Sequence, residues 1–324
     1  MGFIDDLKTR IKSAKKRFKI VYPDGEIDTC IEAAAILAKQ DIITPIILGD
    51  ESKINALAKE KNISLKGIEV IDPKKALSDD FINTYFELRK HKNITKEAAK
   101  EAMLKVNYYG AMMVFKGLAD GMVGGLTSAT KPFIPAFEIV KTTPGITRAS
   151  AVFFMVKGDD VKLYSDCAMN INPDEETLAQ IGAATGDTAK AFGLEPKIAF
   201  LSFSTFGTAK DALVDKVANA TKKCQALRPS YLIDGEMQFD SALLPEVAAK
   251  KCPDSKVAGK ANVFIFPDLN AGNIGYKMTE RLGGYKAVGP VFQGLNKPVN
   301  DLSRGAKAED IADTGYLTAV QSMV

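Results

Sequence analysis

The sequence predicts an α/β protein of two domains built on largely parallel sheet, and three observations predict it. Strand-like and helix-like segments alternate with short turns, which calls for a parallel sheet with helices on its faces. The 324 residues exceed what one hydrophobic core usually supports. After Pro144-Gly145 the pattern changes, and two strand-like runs joined by Lys157-Gly158-Asp159-Asp160 suggest a hairpin that opens a second domain.

The elements follow in order. Ile4 to Lys16 carries Ile4, Leu7 and Ile11 at helical spacing. Phe18 to Tyr22 reads as a buried strand stopped by Pro23-Asp24-Gly25, and Asp28 to Lys39 as an Ala-rich helix. Pro45 to Leu48 and Gly67 to Ile71 are further strands, with a helix opened by Gly49-Asp50-Glu51-Ser52 between them. Phe81 to Lys92 is a helix with a basic end, Arg89-Lys90-His91-Lys92, suited to the negative end of a helix dipole. Helices at Thr95 to Val106 and Tyr108 to Ala119 lead to a short strand and Gly turn at Gly121 to Gly125. Beyond the hairpin (Ala151 to Val156, Val161 to Tyr164), a long helix starts at Asn172-Pro173-Asp174 and runs to Phe192. Strands then read at Lys197 to Ser202, Tyr231 to Ile233, Asn262 to Phe266 and Ala287 to Phe292. The helices between them run to Ala226, from Asp240 to Lys250 and from Asn273 to Leu282, and a last helix spans Lys307 to Val320.

Composition excludes several classes. Hydrophobic residues at 46% and charged residues at 26% are those of an ordinary globular chain. A net charge of +3 gives no support to nucleic-acid or membrane-surface binding. The four cysteines, Cys30, Cys167, Cys224 and Cys252, are scattered without a CxxC pair, which predicts reduced thiols in a cytoplasmic protein rather than a zinc site. Met1 to Phe18 has no apolar core of a secretory signal, and no apolar run is long enough to span a bilayer.

Polar residues cluster after apparent strands, at Ser202 to Thr208, Asp234 to Asp240, Asp268 to Lys277 and Asn300 to Arg304. Ligands of open α/β sheets bind outside the carboxyl ends of the strands. The richest stretch is Lys297-Pro298-Val299-Asn300-Asp301-Leu302-Ser303-Arg304-Gly305, a loop entering the last helix. Free backbone N–H groups and the helix dipole favour an anion there, Arg304 adds a fork suited to phosphate oxygens, and Asp310 adds a proton acceptor. Gly121 to Gly125 followed by Leu126-Thr127-Ser128-Ala129-Thr130 is a second, weaker phosphate-holding pattern through backbone amides. Asp234, Glu236, Asp240 and Asp268 are better read as turn and cap residues than as metal ligands, and His91 as a solvated helix-end residue.

Leu201-Ser202-Phe203-Ser204-Thr205, Asp234-Gly235-Glu236-Met237-Gln238-Phe239-Asp240, the run from Phe266 to Lys277, and Pro298 to Gly305 resemble the phosphate acetyltransferase (phosphotransacetylase) family, short form. The resemblance spans nearly the whole chain. It implies two α/β/α domains with a cleft between them, related to isocitrate and isopropylmalate dehydrogenases. Residues 1–148 with 291–324 would form the first domain, and residues 149–290 the second, carrying the interface of a homodimer. It implies acetyl transfer between coenzyme A and phosphate by direct thiolate attack in a ternary complex. Coenzyme A, acetyl phosphate and phosphate are then substrates, with no cofactor and no metal. Phosphate butyryltransferase is the enzymatic alternative, and a metal-dependent dehydrogenase or a non-catalytic phosphate sensor the more distant ones.

By that resemblance Asp310 is the base that takes the thiol proton, Ser303 stabilises the developing oxyanion, and Arg304 supports the acyl phosphate. Arg89 and Arg281 are substrate arginines, Cys167 lies close to the active site, and Lys251 matches a family lysine. Thr127, Ser128, Thr205, Asn273 and Tyr276 complete the substrate-facing set. One departure stands out: the family's Leu-Arg-Pro-Ala segment reads Phe133-Ile134-Pro135-Ala136 here, with Lys131 nearby. Coenzyme A binding is therefore expected to be weaker or differently arranged. The chemistry of the base is open: a thiol near 8.5 and a free Asp near 3.9 are mismatched, so either burial raises Asp310 or the arginines lower the thiol.

Overall fold

The computed structural model describes residues 2–127 and 135–323. The chain forms two units, Phe3–Thr143 with Leu295–Val324, and Pro144–Gly294.

The first unit opens with α1 (Phe3–Ser13), β1 (Phe18–Tyr22), α2 (Asp28–Gln40), β2 (Ile43–Leu48), α3 (Glu51–Glu60) and β3 (Glu69–Ile71). It continues through α4 (Pro73–Ala76), α5 (Asp79–Arg89), α6 (Lys96–Met103), α7 (Val106–Phe115) and β4 (Gly121–Gly124). Side-chain caps fix several of these starts: Asp50 accepts from the N–H groups of Ser52 and Lys53, Ser78 from Phe81, and Thr95 from Ala98. A π-helical turn, Ala136–Val140, precedes the second unit.

The second unit holds β5 (Ser150–Lys157), β6 (Asp160–Ser165), α8 (Glu175–Ala191), β7 (Lys197–Leu201), α9 (Ala212–Leu227) and β8 (Leu232–Met237). It ends with α10 (Phe239–Leu243), α11 (Pro245–Lys251), β9 (Val263–Ile265), α12 (Leu269–Arg281) and β10 (Lys286–Gln293). The chain then returns to the first unit as β11 (Val299–Asp301) and α13 (Ala308–Gln321).

The first sheet has the order β11-β4-β1-β2-β3 and is parallel throughout. Val21 lies under Gly110 of α7, whereas the Tyr22 hydroxyl lies under Gly315 of α13. Successive strand side chains point to opposite faces, so α7 and α13 cover opposite faces of this sheet. The second sheet has the order β10-β5-β6-β9-β7-β8. Its β5–β6 hairpin and β10 are antiparallel, and the other pairings are parallel. Ile198 and Phe200 of β7 meet Gly186 and Gly182 of α8. Ala199 and Leu201 point the other way, into a cluster with Tyr164, Cys167, Phe264 and Phe266.

The structure departs from the sequence reading in four places. Val299 to Asp301 is not loop, because it pairs with Met122–Gly124 as a strand. Strand β8 runs through Asp234-Gly235-Glu236 instead of ending there. Asp240 to Lys250 is two short helices, since Pro245 lacks the N–H that would continue the first. Helix α12 begins at Leu269, where Asp268 caps it by accepting from Ala271 N–H at 2.9 Å.

Candidate functional site

In the first unit, three neighbouring parallel strands end at one edge of the sheet. Strand β1 gives way to Pro23-Asp24-Gly25, β4 to Gly125-Leu126-Thr127, and β11 to Leu302-Ser303-Arg304. The Leu302 N–H binds the Gly124 carbonyl at 2.9 Å and the Asp301 carboxylate at 2.8 Å, which fixes where the last loop leaves the sheet. Asn300 is fully buried, and its amide donates to Thr318 Oγ1 at 2.8 Å and Gln321 Oε1 at 3.0 Å, tying β11 to α13. Val299 and Leu302 are buried beside it. Ser303 and Arg304 remain exposed, in a turn where Ala306 N–H reaches the Ser303 carbonyl at 2.9 Å. Helix α13 follows with Glu309 and Asp310 in its first turn. Asp310 is half-buried and accepts from the Lys307 N–H at 3.2 Å.

The Gly–hydroxyl turn after β4 is not an open phosphate nest. Asp24, buried, accepts from the N–H groups of Gly125 at 2.9 Å and Leu126 at 3.2 Å, and from Thr127 Oγ1 at 2.9 Å. An internal carboxylate thus occupies the donors that the sequence reading offered to a ligand, Thr127 among them. Beside it lies Asp301. Burial, reinforced by the negative Asp24, pushes its carboxyl up to about 7 against the opposing Leu302 hydrogen bond. Ser128, Lys131 and Ile134 lie outside the described residues.

Arg89 closes α5, a separate element of this unit. Its Nη2 lies 2.9 Å from Glu138 Oε1, and Tyr85, one turn earlier, donates to Glu138 Oε2 at 2.7 Å.

The second unit brings its candidates together in two groups. Asn273 donates to the Cys167 carbonyl at 3.1 Å and accepts from Lys277 Nζ at 2.8 Å. Tyr276, on the same helix, stacks on Phe153 with ring centroids 4.2 Å apart. Arg281 ends that helix with its side chain in solvent, 3.3 Å from Glu280. The second group centres on Gln238. Its N–H binds Thr205 Oγ1 at 3.1 Å, and its Oε1 accepts from Lys251 Nζ at 2.8 Å. Lys251 also pairs with Asp240 at 3.1 Å.

Two expectations change here. Cys167 has no exposed surface, and burial among aromatic rings pushes its thiol well above the ordinary range, so its side chain faces core rather than ligand. Thr205 is also buried, with its hydroxyl committed to Gln238. Sequence reasoning treated Asp24 only as a strand stop, and it passed over Glu138 and the carboxyl of Asp301. An Asp directly after a strand that faces a Gly turn was the available signal for Asp24; no local pattern marks Glu138. Among the described residues no group of three or more His, Cys, Asp or Glu side chains is placed to hold a metal ion, and no helix is long and apolar enough to cross a membrane.

With this geometry in view, comparison with known proteins is specific. Residues 2–319 match the family model described as phosphate acetyl/butaryl transferase. A phosphate acetyltransferase of Bacillus subtilis is 47% identical over 314 residues, covering 96% of this chain and 97% of that protein. A phosphotransacetylase structure from Staphylococcus aureus superposes with a TM-score of 0.92 at 46% identity, over 98% of this chain and 99% of that one. One from Streptococcus pyogenes gives 0.90 at 46% identity, over 95% and 94%. A 4-hydroxythreonine-4-phosphate dehydrogenase from Klebsiella pneumoniae, 11% identical, shares the fold at a TM-score of 0.59, over 95% and 100%. A sheet edge with an exposed Ser-Arg turn leading into an acidic helix start, and near-half identity along almost the full length, place this chain in the phosphate acetyl/butaryl transferase family.

Proposed function

We propose that the protein is a phosphate acetyltransferase, catalysing acetyl-CoA + phosphate = acetyl phosphate + CoA. The observation that carries this is the 47% identity to a phosphate acetyltransferase over 96% of the chain. Relatives at 46–47% identity bear acetyl-transferring names, whereas a branched-chain phosphotransacylase from Enterococcus faecalis is only 20% identical, which favours acetyl over butyryl as the group carried.

The chemistry is a direct transfer in a ternary complex. In the thioester-forming direction the coenzyme A thiolate attacks the acetyl carbon of acetyl phosphate. The carbon–sulfur bond forms, the carbon–oxygen bond to phosphate breaks, and phosphate leaves with the electron pair. Asp310 takes the thiol proton. Ser303 donates to the oxyanion that develops on the carbonyl. Arg304 and Arg89 neutralise the phosphoryl oxygens. The exposed turn and the half-buried first-turn carboxylate support these roles. Lys251, Asn273, Tyr276 and Arg281 would serve the substrates from the second unit, with no cofactor needed. The protein would work in the cytoplasm as a homodimer built through that unit, a reading supported by four free cysteines and by exposed apolar residues on α12.

A thioester assay with acetyl phosphate and coenzyme A tests the activity, and no thioester formation would overturn it. Asp310→Asn should lower kcat about 10²–10⁴-fold, and a kcat within twofold of the parent would remove Asp310 as the base.

A further inference from the structure

The exposed Ser303–Arg304 turn leaves the sheet from an edge strand. Strand β11 pairs on one side only, with β4, so its last residues lie where the end of β4 puts them. The contact there is close. Leu302 N–H binds the Gly124 carbonyl at 2.9 Å, and a Cβ on Gly125 would press on the Asp301 carboxylate. The end of β4 is held in turn by one side chain from the loop after β1. Asp24 is 7% exposed. Its Oδ2 accepts from the N–H groups of Gly125 at 2.9 Å and Leu126 at 3.2 Å, and its Oδ1 accepts from Thr127 Oγ1 at 2.9 Å. Asp24 is itself anchored. Its carbonyl accepts from Ile27 N–H at 3.0 Å, just before α2, and the neighbouring Gly25 N–H binds the Leu48 carbonyl at 3.2 Å, at the end of β2. A Cβ on Gly124 would lie 2.7 Å from Pro23 Cγ, so the two loops touch backbone against ring.

We propose that Asp24 is a positioning residue for the Ser303–Arg304 turn: its carboxylate pins the Gly125–Thr127 turn, on which Asp301 and Leu302 rest, and so fixes where Ser303 meets the reacting carbonyl. The proposal rests on the assignment of Ser303 to the developing oxyanion. A donor stabilises that charge only if it is already in place when the charge forms, and a displacement of an ångström removes much of the benefit. An exposed turn on an edge strand cannot supply that precision from its own packing. Here it is borrowed from a buried carboxylate, which ties the ends of β1 and β4 together through three hydrogen bonds and is anchored to the end of β2 and the start of α2. Asp24 touches neither Ser303 nor Arg304 through these bonds, and its effect reaches them through Gly124, Gly125, Asp301 and Leu302.

The test is steady-state kinetics of thioester formation by Asp24→Ala, Asp24→Asn, Ser303→Ala and the double variant of Asp24→Ala with Ser303→Ala. Asp24→Ala leaves the Gly125 and Leu126 N–H groups without their acceptor, and kcat should fall about tenfold with KM for coenzyme A changed less than about twofold. Asp24→Asn keeps an oxygen for both N–H groups and offers its amide to the Thr127 hydroxyl, so its kcat should stay within about threefold of the parent. In the Ser303→Ala background, Asp24→Ala should cost less than about a further twofold, because its effect passes through Ser303. A loss of folded protein would instead multiply with the Ser303→Ala loss, so full multiplication in the double variant would overturn the positioning role. An Asp24→Asn as impaired as Asp24→Ala would also overturn it, by showing that the charge matters and the hydrogen bonds do not. An unchanged kcat in Ser303→Ala would sink the assignment of Ser303, and the proposal with it. Should Asp24→Ala fail to fold, Thr127→Val removes a single hydrogen bond from the Asp24 carboxylate. There kcat should fall about threefold at unchanged KM, whereas a raised KM at unchanged kcat would place Thr127 on the substrate and overturn the proposal.

Discussion

Asp301 is the residue whose behaviour depends most on surroundings that the sequence does not announce. It stands in the run Asn300-Asp301-Leu302-Ser303-Arg304, and the sequence places Ser303 and Arg304 in a loop entering a helix, where the structure shows them exposed. What each neighbour does was not legible. Asn300 is a buried tie to Thr318 and Gln321, partners 18 and 21 residues away that no short motif reveals. Asp301 is a carboxyl beside a second carboxylate, and its only charged influence of note among the described residues is Asp24. Burial above all, with Asp24 adding to it, raises its carboxyl to about 7, against about 3.9 in an unfolded chain. The folded state binds this proton more tightly than the unfolded state. The stabilisation is thus complete below about pH 4 and lost as pH climbs through about 7. Asp301→Asn keeps an acceptor oxygen for the Leu302 N–H and cannot ionise. Its melting temperature should match that of the parent below about pH 4 and exceed it by several degrees at pH 8. A variant less stable than the parent at pH 8 would show that the Asp301 charge is compensated in the folded protein.

At the scale of elements, the turn after β4 shows where pattern reading succeeds and where it stops. A strand, a Gly turn and hydroxyl residues were all foreseen, and so were the donors that such a turn presents. The identity of the anion was not, because it is supplied by Asp24, 101 residues earlier in the chain. The same limit explains β8. Asp-Gly is a turn signal, yet Gly235 continues the strand because a Cβ there would sit 2.8 Å from the Phe200 carbonyl oxygen of β7. Gly125 is the corresponding backbone requirement in the first unit. Its φ is +124°, and a Cβ would press on the Asp301 carboxylate and lie 3.0 Å from the Leu302 carbonyl oxygen. Gly125→Ala therefore combines backbone strain with overpacking, and it should cost about 2–4 kcal/mol in urea unfolding at pH 7. A loss under 0.5 kcal/mol would mean that the turn relaxes freely and that the contact with Asp301 is not fixed.

At the scale of the molecule, the alternating pattern disclosed two α/β units, but it could not place their borders on the residue. The structure divides the chain at Thr143–Pro144 and Gly294–Leu295. Val291–Gln293 pairs antiparallel with Ser150–Val152, and Gln293 is buried among Ser150, Ser165 and Thr185. That pairing keeps the whole of β10 in the second unit, beyond the expected return at residue 291. Helix α12 poses the remaining question of scale. Ile274, Met278 and Leu282 recur every four residues, a spacing that reads as a core face, yet they are 57%, 55% and 82% exposed. Within the chain α12 packs by its other side, through Gly272 against the Asp166 backbone and Tyr276 against Phe153. Exposed Phe203 and Phe206 lie in the loop after β7 of the same unit. Apolar side chains aligned along one helix at this exposure mark an interaction surface, and a second copy of the chain is the partner that the proposed homodimer supplies. Ile274→Glu combined with Met278→Glu should convert a dimeric species to monomer in light scattering after size-exclusion chromatography. The circular-dichroism spectrum should be unchanged, because neither side chain is part of the core. A parent that is already monomeric, or a double variant that stays dimeric, would take the interface off α12.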